Sequence, residues 1–346
     1  MMKGVYLPGT KEAHLKEWPD PAITEDEVLI EIKASALCRS DMSIYYGKPL
    51  LPGFPPGTFI PGHEPSGVIT RLGKRARHFK EGDRVAVTCF VSCGFCKYCR
   101  AGEPMLCDNV EVLGFQRHGG DAEYLAVPES VCLPMPDKMS YVTGAVSTDA
   151  VGNLYATMKE MNVCGADVVA IIGLGPMGLS GVFAAKGMGA TVVAIDLVRS
   201  RLEKAKSIGA DYTVNAEEVD PLEHVKNITK EGVDKTVDCS GSPQGINTAL
   251  DITRRHGIVA QIGEPGETKV KISPSDQLIR KKLTYYGSWY FKLHEWDEIA
   301  DFIVNKIGND RAEEIVSHRF ALQEKAIGEA FRLFDEHKTY KVVFTP

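Results

Sequence analysis

Four cysteines lie within the short stretch CGFCKYCRAGEPMLC, at Cys93, Cys96, Cys99 and Cys107. Cys-x-x-Cys steps let backbone turns aim successive sulfurs at one point, and four thiolates in a tetrahedral array suit Zn²⁺. Such a closed site stabilises the fold and leaves no coordination position for a substrate. The spacing therefore predicts a structural zinc in a lobe at about residues 89–110. An iron–sulfur cluster or thiols without a metal are the alternatives.

A glycine motif is the second chemical signal. Gly173, Gly175 and Gly178 belong to GLGPMG, which also contains Pro176 and Met177, directly after an apolar run and before a helical pattern. In that context the glycines permit a tight turn and let the backbone approach a pyrophosphate at a helix amino terminus. The motif predicts a dinucleotide site.

Asp196 ends the next predicted strand and indicates which dinucleotide binds. Its carboxylate can accept hydrogen bonds from both ribose hydroxyls and would repel a 2′-phosphate, so NAD is favoured over NADP. Arg199 and Arg201 complicate this choice, because an arginine can bind that phosphate. The alternative for the whole motif is a glycine turn with Asp196 as a helix cap.

Three further candidate ligands stand far apart in the sequence. Cys38 lies in ALCRSD, His63 precedes Glu64 in PGHEPSG, and Asp149 lies in STDAVGN. A catalytic zinc takes three N, O or S ligands and keeps one position open. Taken singly, each of these residues is more typical of a structural role.

The elements that must position these groups fall into two kinds. Up to residue 147 the pattern is mainly β, as in the alternation of Val28, Ile30 and Ile32. From 148 to 288, apolar runs such as DVVAIIG and ATVVAID alternate with helical stretches, which is typical of a doubly wound parallel sheet. From 289 to 346 the sequence mixes helical and strand patterns and ends in a predicted strand, KVVFTP. We expect an α/β protein with these boundaries.

Length and composition agree with this division. A chain of 346 residues exceeds the usual size of one core, so two domains are expected. The net charge of −6 and the scattered Lys and Arg give no basic stripe, so neither nucleic acid nor a membrane is an expected partner. The amino terminus lacks a secretory pattern, so we expect a cytoplasmic protein.

Taken in order, CRSD, GHE, the four-cysteine lobe and GLGPMG followed by Asp196 resemble the zinc-containing medium-chain alcohol and polyol dehydrogenases. That family includes sorbitol, secondary-alcohol and threonine dehydrogenases. The resemblance covers nearly the whole chain. It implies a Rossmann domain, a GroES-like catalytic domain to which residues 289–346 return, one catalytic and one structural zinc, NAD, and a homotetramer or homodimer.

The resemblance also implies roles for individual residues. Cys38 and His63 would bind the catalytic zinc, with Asp149 in the variable third position and Glu64 as a ligand in some members. Ser40 would relay the hydroxyl proton and Asp41 would orient a ligand; a polar capping turn is the alternative for both. The expected cofactor contacts are Arg39, Asn153, Gly173, Gly175, Pro176, Met177, Gly178, Asp196, Arg201, Ser240 and Gly263.

Two departures leave the substrate open. Ser43 stands where many members have a proton-relaying histidine, and TCFVSC lacks the histidine that threonine enzymes show before the lobe. We expect oxidation of a secondary alcohol in a polyol, cyclitol or sugar-like molecule. The alternatives are an amino-alcohol 3-dehydrogenase, a zinc-free enoyl or quinone reductase, and a non-catalytic nucleotide-binding protein. A long loop is predicted between Tyr46 and Gly62, and loops of that length are often functional. Its residues 47–60 and the segment 285–294 are expected to line the substrate pocket.

Overall fold

The computed structural model describes residues 1–48 and 54–346. Residues 49–53, which belong to the loop predicted between Tyr46 and Gly62, lie outside the described residues. The chain divides into two compact units. The first comprises 1–149, 292–304 and 313–346, and the second comprises 150–291 and 305–312. The sequence placed the changes at 147 and 288 and did not predict the return of 305–312 to the second unit.

The strands, in chain order, are β1 Met2–Tyr6, β2 His14–Trp18, β3 Glu27–Leu37, β4 Glu64–Leu72, β5 Arg84–Val87, β6 Phe90–Val91, β7 Glu111–Val112, β8 Tyr124–Pro128, β9 Cys132–Pro134, β10 Val168–Ile172, β11 Thr191–Asp196, β12 Tyr212–Asn215, β13 Val233–Asp238, β14 Thr253–Gln261, β15 Thr284–Gly287, β16 Val316–Ala321 and β17 Lys341–Thr345.

The α-helices are α1 Asp41–Tyr45, α2 Lys97–Arg100, α3 Tyr141–Val146, α4 Gly152–Glu160, α5 Pro176–Gly187, α6 Arg199–Ser207, α7 Pro221–Thr229, α8 Pro243–Ile252, α9 Trp296–Phe302, α10 Asn309–Ala312 and α11 Glu324–Asp335. Short 3₁₀ turns cover Pro104–Leu106, Glu129–Val131, Leu293–Glu295 and Glu313–Ile315, and π-helical turns cover Ser147–Val151, Pro274–Ile279 and Ile303–Ile307. Within the ranges 1–48 and 54–346, no helix has the length and apolar character needed to cross a membrane.

The first unit is built on a seven-stranded sheet in the order β16-β17-β3-β4-β5-β9, with β8 also paired to β3. The predicted alternation is present in β3, where Val28, Ile30 and Ile32 are buried. β3 pairs antiparallel with β4 and with β17, so that Ala36 lies opposite Glu64 and Leu37 opposite Val342. The carboxyl end of β3 therefore meets the beginnings of β4 and β17.

The second unit contains a six-stranded sheet in the order β12-β11-β10-β13-β14-β15, in which every neighbouring pair is parallel. β10 and β11 carry the apolar runs of the sequence and are buried along almost their whole length, as strands covered by helices on both faces require. The strand order reverses between β10 and β13, which is where doubly wound sheets bind nucleotides. The predicted fold class is confirmed.

Candidate metal and dinucleotide sites

The four ligand candidates, which come from three separate segments of the sequence, meet at one end of the first unit's sheet. Cys38 directly follows β3, His63 and Glu64 lie where β4 begins, and Asp149 lies in the π-helical turn between α3 and α4. One ligand atom from each lies within 4.8 Å of the others. Asp149 Oδ2 is 3.4 Å from Cys38 Sγ and 3.9 Å from His63 Nε2.

Asp41 holds Cys38 and His63 in place through hydrogen bonds. It has no solvent exposure, and its carboxylate accepts hydrogen bonds from His63 Nδ1 at 3.1 Å and from the backbone N–H of Cys38 at 2.9 Å. Because Asp41 holds a proton on Nδ1, Nε2 is the ring nitrogen of His63 that a metal in the cluster would bind. Burial opposes the charged imidazole, but Asp41 and Asp149 outweigh it and raise the pKa of His63 well above its usual value.

The charges of the cluster fit a divalent cation. Burial raises the pKa of Cys38, and it raises that of Glu64 to about 8. Burial also opposes ionisation of Asp149, but the hydrogen bond from His63 and the charge of Lys341 lower its pKa to about 2. Lys341 Nζ contacts Glu64 Oε1, whereas the buried Glu64 Oε2 has no hydrogen-bond partner. A bound metal would require Cys38, Glu64 and Asp149 in their ionised forms, and with the ammonium of Lys341 beside them two negative charges would then remain. N, O and S donors of this kind bind zinc.

The predicted four-cysteine cluster also comes together in the structure. Cys99 Sγ lies 3.4 Å from Cys96 Sγ and 3.9 Å from Cys93 Sγ, and the Cys107 sulfur accepts the Cys93 N–H at 3.5 Å. Hydrogen bonds from two backbone N–H groups, that of Phe95 with the larger effect and that of Cys96 with the smaller, lower the pKa of Cys93 to about 6. The lobe therefore favours a thiolate at this position, as a metal ligand requires.

The glycine motif adopts the geometry of a phosphate-binding turn. Gly173 follows β10 with φ of 83°, and α5 begins at Pro176 with Gly175 as its cap. A Cβ at Gly178 would stand 1.9 Å from the carbonyl oxygen of Gly173, so no larger residue fits there. The free N–H groups at the start of α5, which contains Met177, suit a pyrophosphate.

Asp196 ends β11 and lies beside this turn. Its Oδ2 accepts the N–H of Leu174 at 2.6 Å and its Oδ1 accepts the N–H of Val198 at 2.9 Å, which leaves one lone pair on each oxygen. Arg201 approaches Oδ2 at 3.8 Å. Arg199 is 77% exposed and pairs with Glu218 at 2.9 Å. This arrangement is compatible with ribose binding by Asp196.

Three of the four remaining predicted cofactor residues form hydrogen bonds within the protein. Arg39 donates to the carbonyl of Phe334 at 3.4 Å, and Ser240 donates to Asp238 Oδ1 at 2.7 Å. The N–H of Gly263 donates to the carbonyl of Asp238 at 2.9 Å. Asn153 is buried on α4, and its Oδ1 has no hydrogen-bond partner. Their contacts with a cofactor stay predictions.

Two buried charged residues near the cluster were missed by the sequence analysis. Lys341 is the first residue of the last strand. The only sequence signal for its role was a lysine directly before the apolar run of KVVFTP. Asp121 accepts the Ser35 hydroxyl at 2.6 Å and leaves Oδ2 without a partner. Burial and then the Asp41 charge raise the pKa of Asp121 to about 7. No sequence pattern marks Asp121, because it lies in a loop.

Comparison with known proteins gives two matching family profiles. The profile described as "Alcohol dehydrogenase GroES-like domain" matches residues 24–137, and that described as "Zinc-binding dehydrogenase" matches residues 176–305. An uncharacterised zinc-type alcohol dehydrogenase-like protein of Escherichia coli K12 is 36% identical over 99% of this chain and 98% of its own length. Sorbitol dehydrogenase of Bacillus subtilis is 35% identical over 79% and 78%, and L-threonine 3-dehydrogenase of Bacillus velezensis is 31% identical over 96% and 95%.

Solved structures share the fold over the full chain. The alcohol dehydrogenase TADH of Thermus sp. ATN1 superposes with a TM-score of 0.90 at 28% identity, covering 100% of this chain and 99% of its own. An alcohol dehydrogenase of Escherichia coli CFT073 in complex with NADH gives 0.87 at 26% identity, with the same coverage. A protein of Sinorhizobium meliloti 1021 bound to NADP gives 0.88 at 26% identity, again with that coverage.

Proposed function

Because the chain belongs to the zinc-binding alcohol dehydrogenase family, as its ordered motifs predicted, we propose that it oxidises a secondary alcohol reversibly to a ketone with NAD. The proposed substrate is a polyol, a cyclitol or a sugar-like molecule. The observation that carries the proposal is the buried cluster of Cys38, His63, Glu64 and Asp149, whose donor atoms lie within reach of one ion. A zinc-free reductase or a purely structural nucleotide-binding protein has no need of such a cluster.

Cys38, His63 and Asp149 would hold the zinc, with Glu64 beside them. When bound, zinc supplies a Lewis acid for the alcohol oxygen and NAD supplies the hydride acceptor. Asp41 keeps His63 in the tautomer that presents Nε2, and its second hydrogen bond fixes the backbone that carries Cys38. The residues of the first unit thus orient the ligands before any substrate binds.

Ser40 is the proposed proton acceptor for the substrate hydroxyl. Its Oγ lies 3.5 Å from His63 Nε2, beside the ligand atoms, and a hydroxyl can accept one proton while donating another. Ser43 cannot replace the histidine of other members as an acid or base near neutral pH. Its buried Oγ has no hydrogen-bond partner. The proton route beyond Ser40 therefore does not depend on an imidazole at position 43.

The choice of NAD over NADP rests on Asp196. Its carboxylate keeps acceptor capacity for ribose hydroxyls, and its charge opposes a 2′-phosphate. Neighbouring structures contain NADH in one case and NADP in another, so the preference is a property of each chain's own residues. Arg199, the nearby cation exposed enough to meet a phosphate, is already paired with Glu218.

An amino alcohol is the second candidate substrate. Relatives named L-threonine 3-dehydrogenase match almost the whole chain at 31% identity, beside a relative named sorbitol dehydrogenase at 35%. The two candidates share the metal cluster and the reaction type. They differ in whether the substrate carries an ammonium and a carboxylate.

The test is an NAD reduction screen with zinc-loaded protein across polyols, cyclitols, simple secondary alcohols and L-threonine. We expect the highest kcat/KM with a polyol or cyclitol, and we expect His63→Ala to abolish turnover. His78→Ala is the matched control, because His78 is exposed and remote from the cluster in its contacts. A preference for L-threonine would select the second candidate. Near-normal turnover in His63→Ala, or reduction of activated double bonds in place of alcohol oxidation, would reject the proposal.

A further inference from the structure

Lys341 places a buried positive charge against the proposed catalytic metal site. Its side chain is 2% exposed and that of Glu64 is fully buried, and Nζ contacts Glu64 Oε1 directly. Lysine is almost never fully buried unless it is paired, and burying an ammonium is costly. The reaction proposed above assigns no role to this cation.

The ammonium holds the Glu64 oxygen that faces the cluster. Glu64 Oε1 lies 3.9 Å from His63 Nε2, so a metal beside that nitrogen would meet the oxygen already in contact with Lys341. The other oxygen, Oε2, has no hydrogen-bond partner. An ammonium and a metal cation therefore compete for the same carboxylate oxygen.

Asp149 is the contrasting oxygen donor of the cluster. Its Oδ2 faces Cys38 Sγ at 3.4 Å and His63 Nε2 at 3.9 Å, and both of these atoms are ligand candidates rather than fixed cations. A metal that binds His63 Nε2 takes the place of the proton through which His63 pairs with Asp149, so it meets Asp149 Oδ2 without displacing a lysine. Glu64 and Asp149 are therefore equally close to His63 Nε2, at 3.9 Å, and they differ in that only Glu64 is in direct contact with Lys341.

We propose that Lys341 is a positioning residue that holds Glu64 off the metal and so keeps one coordination position open for the alcohol oxygen. This inference rests on the proposed function. Without the ammonium, Glu64 becomes a fourth protein ligand beside Cys38, His63 and Asp149, and four protein ligands make the closed arrangement of a structural site. Removing Lys341 should therefore tighten metal binding while it lowers turnover, whereas the loss of a merely structural contact would weaken both.

The experiment compares Lys341→Met, Lys341→Arg, Glu64→Gln and the double variant Lys341→Met with Glu64→Gln. For each, zinc transfer to a chelator is followed in time, the absorption spectrum of the Co²⁺-substituted protein is recorded, and kcat is measured. For Lys341→Met we expect zinc release from the open site to be about 10-fold slower, kcat to fall about 10- to 100-fold, and the Co²⁺ spectrum to change. Lys341→Arg should restore both values, because it keeps the charge.

The matched control is Lys338→Met, which removes an exposed lysine three residues away and should change none of these readouts. Faster zinc release from Lys341→Met, or release at the wild-type rate, would overturn the inference. If Lys341→Met does not fold, the double variant decides. It should match Glu64→Gln in zinc release and kcat within about threefold, because Lys341 then has no carboxylate to hold. A further loss in the double variant would overturn the inference.

The two proposals fail in different ways. A wild-type protein that binds zinc only in the cysteine lobe, or that oxidises no alcohol, refutes the proposed function. A wild-type protein that binds zinc in both sites and oxidises an alcohol, with no slower release in Lys341→Met, refutes only the role of Lys341.

Discussion

Asp41→Asn is the sharpest test of how the open site is held together. The carboxylate is fully buried and accepts two hydrogen bonds, one from His63 Nδ1 and one from the Cys38 N–H. Asparagine has nearly the same shape but offers one oxygen and one NH₂ group. If the oxygen stays on Cys38, the NH₂ group meets the Nδ1–H of His63, and two donors face each other. His63 can relieve this only by moving its proton to Nε2, the atom that a metal needs.

The size of the effect follows from these contacts. A hydrogen bond to a charged group contributes about 1.5–3 kcal/mol, and loss of a residue that orients a metal ligand typically costs about 10–100-fold in metal affinity or activity. Because about 1.4 kcal/mol corresponds to a factor of ten in an equilibrium constant, the two estimates agree. We expect open-site zinc to bind about 10- to 100-fold more weakly in Asp41→Asn, with a similar loss in kcat/KM.

The assay is zinc competition with a chelator of known affinity, beside kcat/KM and NAD binding. The cysteine lobe serves as an internal reference, because Asp41 contacts none of its four sulfurs in the hydrogen bonds of the site. Asp26→Asn, which neutralises an exposed carboxylate paired with Arg75, is the matched control. Unchanged open-site zinc affinity in Asp41→Asn, or equal loss of zinc from both sites, would refute the reasoning.

Three other substitutions test the remaining assignments. Cys93→Ser should remove about one zinc per chain and lower the thermal midpoint, because the binding energy of a closed site is folding energy; unchanged metal content would contradict the lobe's role. Asp196→Ala should narrow the preference for NAD over NADP by about tenfold or more, since it removes a charged acceptor for the ribose, and an unmoved ratio of kcat/KM values would count against that contact. Asp149→Ala should lose most of its turnover, and the loss should be smaller if Glu64 can replace Asp149 as a metal ligand. The double variant Asp149→Ala with Glu64→Ala measures how far Glu64 replaces Asp149, and full activity in that variant would exclude both carboxylates as metal ligands.

The fold was predictable because its signals are local. Strand alternation in β3 and the apolar runs of β10 and β11 repeat within a few residues, and the glycine turn lies directly between a strand and a helix. Such patterns predict a half-buried strand in the first unit and buried strands of a parallel sheet in the second, without any knowledge of distant contacts. The exact unit boundaries depend on long-range packing, which explains why the return of residues 305–312 to the second unit had no sequence signal.

The open site was predictable only in part. The carboxyl end of β3 and the start of β4 meet because the strands pair antiparallel, which brings Cys38 to His63. The position of Asp149 depends on a wide π-helical turn between two helices. A sequence pattern does not distinguish such a turn from a continuous helix. The contact of Lys341 with Glu64 joins residues that lie 277 positions apart in the sequence. No spacing rule relates these two residues, so only the structure reveals the pair.

The two metal-ligand clusters differ in what the fold provides before a metal binds. In the lobe, backbone N–H groups donate to the sulfurs of Cys93, Cys96 and Cys107. At Cys93 such hydrogen bonds lower the pKa of the thiol, so the chain itself stabilises a thiolate there. In the open site, burial raises the pKa values of Cys38 and Glu64 and thus disfavours the anionic donors that a metal needs. A cluster that is unfavourable without its cation costs stability, and that cost is typical of sites kept for chemistry. The closed lobe and the open cluster therefore require different explanations: with a bound metal the first would stabilise the protein, whereas the second buries charged groups that Asp41 and Lys341 pair with.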